Sequence, residues 1–160
     1  MIYGTPGDRN MIRLVRWLDR IPVLPVFGNG RSLQQPVHVS DVAWAVVEAS
    51  MTPAAVGRSF NLSGATAVTY REVIQLTSLA LGKRVHRLHL PSGLIVACLQ
   101  IVESLNIALP IKAEQILRLN ENKAFSHEEA SSVFGYDPMS FAQGIFSEVK
   151  LFRSGLEAGE

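Results

Sequence analysis

Arg9, Arg13, Arg16 and Arg20 recur at spacings that place them on one face of a helix. Such a stripe is either a solvated face or an anion-facing wall at a cleft. Like charges one turn apart repel by roughly 0.2–0.5 kcal/mol per pair, so an anion met by the stripe would relieve it. Lys83, Arg84 and Arg87 make a second basic cluster just after Gly82, where cations complement a helix end. His86 and His89 lie three apart on a predicted strand and point to opposite faces, so they cannot share a metal. Gly28-Asn29-Gly30 has neither the third glycine nor the following helix of a dinucleotide-binding turn. The sequence contains no P-loop, no H-E-x-x-H and no G-x-S-x-G elbow. Of Tyr3, Tyr70 and Tyr136, none has a lysine four residues later. The single cysteine, Cys98, excludes an internal disulfide and a thiolate zinc site, and is expected to be a small apolar core residue.

These residues are positioned by short, densely punctuated elements. Ile2 and Tyr3 read as the end of a strand running into a Gly-Thr-Pro-Gly-Asp turn. A helix over about 10–21 follows, with Met11, Leu14, Val15 and Leu18 as its buried stripe. Val23 to Phe27 is a strand that Pro22 and Pro25 push to a sheet edge. After the Gly28–Gly30 turn comes a strand at Val37 to Val39. Ser40 is expected to cap a helix to about Ser50, with Asp41 in its first turn and Val42, Ala43, Val46 and Val47 on its apolar face. A strand is expected at Ser59 to Leu62. Capping boxes at Thr69/Glu72, Ser126/Glu129 and Ser140/Gln143 each open a helix. The first two helices close at Gly82 and Gly135, and the last carries Phe141, Ile145, Val149 and Phe152 on one face. A strand at Val85 to Leu90 and helices near 92–105 and 112–119 complete an α/β pattern. Trp17 and Trp44 read as core or rim aromatics.

The 160 residues carry 15 Lys+Arg against 14 Asp+Glu, a net charge of +1, and are 48% hydrophobic and 18% charged. That composition builds a core and excludes a disordered chain. Charge this near neutrality argues against a general nucleic-acid binder. The start shows no secretory signal. The apolar stretch over 94–109 is broken by Gln100, Glu103, Ser104 and Asn106, short of the about 20 apolar residues that a span requires. It reads as a buried or interfacial helix, so membrane contact is not expected. The cysteine usage fits a reducing compartment, and a cytoplasmic location is expected.

Ile2-Tyr3-Gly4 with Pro6-Gly7-Asp8, then Val26-Phe27-Gly28-Asn29-Gly30, then Gln35-Pro36-Val37-His38-Val39-Ser40-Asp41-Val42-Ala43, form an ordered set. Phe60-Asn61-Leu62-Ser63-Gly64, Thr69-Tyr70-Arg71-Glu72, Leu81-Gly82-Lys83, Leu90-Pro91 and Phe134-Gly135-Tyr136-Asp137-Pro138 continue it. Together they resemble the carboxy-terminal part of extended or atypical short-chain dehydrogenase/reductases, the NAD(P)-dependent epimerase/dehydratase family.

The resemblance implies the carboxy-terminal portion of a Rossmann-type NAD(P)-binding fold with its small substrate-binding α/β subdomain, over residues 1–160. The cofactor turn and catalytic Tyr-x-x-x-Lys would lie upstream, so this chain is expected to be inactive alone and to bind NAD or NADP weakly. Ile2, Tyr3 and Gly4 match the strand end beside the cofactor. Gln34 stands where nucleotide-sugar members often carry a phosphate-gripping arginine, and Arg31 is the nearest substitute. Arg9, Arg13 and His38 complete the implied substrate wall. The expected function is that of a segment of a sugar-nucleotide epimerase or dehydratase. The alternative is a non-catalytic relative serving as an assembly factor or accessory subunit of a respiratory complex. Expected partners are a small-molecule substrate and the missing amino-terminal half. Oligomeric state is open, a homodimer included.

Overall fold

In a computed structural model the chain is described over residues 1–5, 7, 8, 10–91, 93 and 121–157. Arg9, Cys98 and the helices expected near 92–105 and 112–119 lie outside the described residues, Gly93 excepted. Two strand pairs are parallel: β1 (Ile2–Tyr3) with β4 (Val37–His38), and β2 (Val23–Phe27) with β6 (His86–Leu90). A third, β3 (Leu33–Gln34) with β5 (Val68–Thr69), is antiparallel. Among the described residues β2 pairs with β6 alone, the edge position that its prolines dictate. Parallel pairs require crossovers. The chain supplies α1 (Met11–Arg20) between β1 and β4, and α2 (Val39–Met51) and α3 (Tyr70–Leu81) between β2 and β6. Two further helices, α4 (Glu128–Phe134) and α5 (Phe141–Glu157), close the described chain. No described helix is long and apolar enough to cross a membrane.

The main core gathers Tyr3, the α1 residues Met11, Val15 and Leu18, the β2 residues Leu24 and Val26, Val73, Ile74 and Leu81 of α3, and Phe141, Ile145 and Val149 of α5. The α1 stripe differs from expectation at two positions: Ile12 is buried and Leu14 only partly so. The larger departure is α2. Its expected apolar face of Val42, Ala43, Val46 and Val47 is not buried; Ala45 alone is, while Val46 is 61% and Val47 54% exposed. The side that packs is a narrow one, where Ala45 meets Ala130 and Tyr136 with Phe60, Leu62 and Phe134 around them. Phe60 and Phe134 meet edge to face at 5.1 Å. That side-chain packing also explains why the strand expected at Ser59 to Leu62 is absent. The segment is held by its aromatic and aliphatic groups and has no ladder partner.

Two of the three capping boxes form. Thr69 accepts from the Glu72 N–H at 3.2 Å while Glu72 accepts from the Thr69 N–H at 2.6 Å. Those hydrogen bonds hold the Glu72 carboxyl below its usual range. Ser140 and Gln143 reciprocate in the same way on α5. The Ser126/Glu129 box does not form. The Glu129 carboxylate is drawn to Arg58 at 2.6 Å, and Ser126 instead accepts from the Glu128 N–H. Ser40 is likewise not the cap of α2. His38 occupies that place, its Nδ1 accepting from the Ser40 N–H, because the helix begins at Val39 directly from the strand. Thr69→Ala is expected to cost about 1 kcal/mol of unfolding free energy and Thr69→Ser much less, as read by urea denaturation.

Candidate functional site

β1 and β4 run parallel, so their carboxyl ends lie together, and there Gly4 and His38 meet. Gly4 has φ +111°, and a side chain on it would collide with the His38 ring. Only glycine serves at this turn. Tyr3 points the other way, into the core, and is 2% exposed. Its ring meets His38 edge-on at 5.3 Å and Phe141 at 5.6 Å. Its hydroxyl lies against Gly144 of α5, where a Cβ would collide with it. Burial first, then the negative charges of Asp41 and Glu148, push the Tyr3 phenol well above its ordinary value.

Tyr3, Gly4 and His38 are thus brought together, and the other expected site residues are spread around them. Ile2 is on β1 with its side chain 53% exposed. Arg13 is exposed on α1 and Arg31 is exposed in the loop before β3, its N–H donating to Asn29 Oδ1 at 2.9 Å. Gln34 is half-buried and donates to the Glu121 carbonyl at 3.4 Å, so its amide ties the 121–125 segment to β3. Gln35 does the same, accepting from the Phe125 N–H and donating to the Gly64 carbonyl. Among the described residues no hydrogen bond, ion pair or ring contact joins Arg13 or Arg31 to the Tyr3–His38 cluster. Arg16 and Arg20 are also exposed, and Asp19 pairs with Lys83 at 2.5 Å.

Phosphates bind readily at uncapped helix N-termini. The Asp8 carboxylate occupies that of α1, accepting from Asn10, Met11 and Ile12 N–H groups at 2.8, 2.7 and 3.0 Å. His38 occupies that of α2, and the two capping boxes those of α3 and α5. At α4 the cap residue His127 makes no side-chain cap, though Ser126 accepts from the Glu128 N–H, so the described residues leave that N-terminus less fully occupied than the others. The described residues hold no group of three or more metal-ligating side chains.

Ser63 and His127, 2.8 Å apart, have the residue types of a nucleophile and base. The Ser63 hydroxyl, however, donates to the Phe125 carbonyl at 2.8 Å, and the Tyr136 hydroxyl donates to the Ser63 carbonyl at 3.0 Å. With its proton committed to a carbonyl, Ser63 is a tether between loops. Tyr136 and Trp44 instead line a cavity of about 310 Å³ with Ser40, Asp41, Gly135 and Asp137, beside the start of α2. Burial, then Asp41, pushes the Tyr136 phenol up to about 12.

The sequence reading missed Asp8 as a cap, Gly144 as a close-approach glycine and Glu148 as a buried acid. The α5 pattern carried a signal for the last two. Gly144 and Glu148 are one turn apart, and Gly144 precedes Ile145 as Glu148 precedes Val149 on the buried side.

Solved structures with a similar fold include several epimerases. An epimerase from Methanothermobacter thermautotrophicus aligns with 98% of this chain and 42% of its own, at a TM-score of 0.72 and 15% identity. The UDP-glucuronic acid 4-epimerase of Bacillus cereus in complex with NAD aligns at 0.66 and 18% identity, over 96% of this chain and 42% of its own. The UDP-glucose 4-epimerase of Thermotoga maritima with UDP-glucose aligns at 0.66 and 18%, over 97% and 44%. The fold is that of these epimerases, over the part covered. The chain spans less than half their length. No protein-family model matches the chain, and no curated protein does.

Gly144→Ala is expected to destabilise the chain by roughly 1–3 kcal/mol through overpacking. Adding Tyr3→Phe should recover part of that loss, because the hydroxyl is the group in the way. A thermal-denaturation double-mutant cycle measures the coupling, and additive effects would place the hydroxyl elsewhere.

Proposed function

We propose that the chain is the carboxy-terminal, substrate-side segment of an extended short-chain dehydrogenase/reductase, an NAD(P)-dependent sugar-nucleotide epimerase or dehydratase of the cytoplasm. The observation that carries this is the meeting of Gly4 and His38 at the carboxyl ends of a parallel strand pair. In open parallel sheets ligands sit in the crevice at that end. Epimerase-like proteins of the same fold support the cofactor class: one was solved with NAD and one with NADPH.

In this reading the chain supplies the wall, and the groups that grip the dinucleotide come from a second half. The N-termini of α1, α2, α3 and α5, each occupied by a side chain, support that division. A dinucleotide held by that second half would supply hydride-transfer chemistry at the substrate. This chain's residues would position the substrate: Gly4 lets it approach the backbone, His38 closes one side, and charge for its phosphates would come from Arg9, Arg13 and Arg31. Gln34, uncharged and engaged with Glu121, contributes none.

The exposed face of α2 fits the same reading. Val46 and Val47 with Met51, 73% exposed, present apolar surface of the kind that buries against another α/β layer. Two measurements test the proposal. Calorimetric titration of this chain with NAD⁺ and with NADP⁺ is expected to show no low-micromolar affinity, and such an affinity for either would overturn it. Light scattering is expected to show self-association that Val46→Lys with Val47→Glu abolishes at unchanged melting temperature. A wild-type chain that is monomeric throughout would mean that the α2 face needs no cover.

A further inference from the structure

Glu148 lies one turn beyond Gly144 on α5, between Ile145 and Val149, which are fully buried. It is itself 1% exposed, and among the described residues neither of its carboxyl oxygens has a hydrogen-bond partner. A lone carboxylate in such a place is costly, because nothing replaces the water it has lost.

The groups that face it add no compensation. From β1 comes the Tyr3 phenol, itself raised by the charge of Glu148. From the turn before α1 comes Asp8, whose oxygens are already engaged by backbone N–H groups. Asp41 at the start of α2 acts on the same Tyr3, and His38 meets Tyr3 edge-on. The helix α3 packs against α5 with Val73, Ile74, Thr77, Ser78 and Leu81 buried, none charged. Thr77 and Ser78 spend their hydroxyls on their own helix, donating to the Val73 and Ile74 carbonyls. On α5 itself, Arg153 donates to the Leu81 carbonyl at 2.8 Å. The charges that bear on Glu148 and Tyr3 here are both negative.

We propose that Glu148 is a proton-linked latch: as a neutral acid it lets α5 lie on Tyr3 and β1, and loss of its proton loosens α5 and the Gly4–His38 crevice that rests on it. The latch is read from the burial, the missing partners and the close approach of Tyr3 to Gly144, and does not depend on what the crevice binds. Its operating range is physiological, since burial, then the charge of Asp8, pushes the Glu148 carboxyl up to about 7. The sign follows by linkage. An unfolded glutamate loses its proton near 4.3 while the folded one keeps it. Stability is therefore fullest below the unfolded value, falls as pH rises toward 7, and is level above it.

Hydrogen exchange of the full chain at pH 5.5 and pH 8.5, corrected for intrinsic rates, tests the latch. Amides over 144–152 are expected to lose about tenfold or more in protection at the higher pH, while α3 amides lose far less. In Glu148→Gln, which keeps the neutral shape, α5 is expected to stay protected at both pH values. Parallel loss in wild type and variant, or equal loss in α3 and α5, would overturn the proposal. Should the variant not fold, carbon NMR of the wild-type Glu148 carboxyl decides: a midpoint near 7 supports the latch, and one near 4.3 refutes it.

Discussion

The side chain of Tyr3 is the piece on which this structure converges. One ring sits among His38 of β4, Phe141 at the start of α5 and Gly144 one turn on, so β1, β4 and α5 are joined through a single aromatic group. The packing is so close that two glycines are obligatory beside it. Gly4 must leave room for the His38 ring and Gly144 for the Tyr3 hydroxyl. The short β1–β4 ladder, two residues in each strand, could not hold this end of the molecule by hydrogen bonds alone. Burial of the ring, and of Phe141, Ile145 and Val149 behind it, does most of that work.

This constraint separates structural from ligand-facing chemistry at the crevice. The phenol belongs to the core, as does the carboxyl of Glu148, and the Asp8 carboxylate belongs to α1. What remains at the carboxyl ends of the parallel strands is the Gly4 backbone and the half-buried His38, whose Nδ1 is engaged with Ser40. Such a surface can shape and orient a ligand. Among the described residues it has no paired acid and base, and α2, which begins there, is capped by His38.

Much of the α/β pattern was legible in the sequence because its signals are local. The Thr69/Glu72 box, the left-handed Gly82 and Gly135, and the Phe141–Ile145–Val149 face each depend on residues within a turn or two. The failures are where distant partners decide. Glu129 was taken by Arg58, from far along the chain, and so did not complete its box. The apolar periodicity of α2 marks a surface that, among the described residues, is buried only at Ala45. The segment at 59–62 has strand composition but lacks a neighbouring strand. At the crevice, the family resemblance pointed to Ile2, Tyr3 and Gly4 on the cofactor side and to Arg9, Arg13, Arg31, Gln34 and His38 on the substrate side. The burial of Tyr3 could not be read, because it depends on Gly144 at the other end of the chain.

The most direct measurement is the alkaline titration of the tyrosines by carbon NMR in Glu148→Gln, in which α5 stays on Tyr3 at high pH, with Tyr3→Phe assigning the signal. If the ring is walled in by His38, Phe141, Gly144 and the nearby acids, the Tyr3 phenol stays protonated well above pH 10 for as long as the fold persists. A Tyr3 signal that titrates at the ordinary value of about 10 would show the ring open to water and would contradict the account.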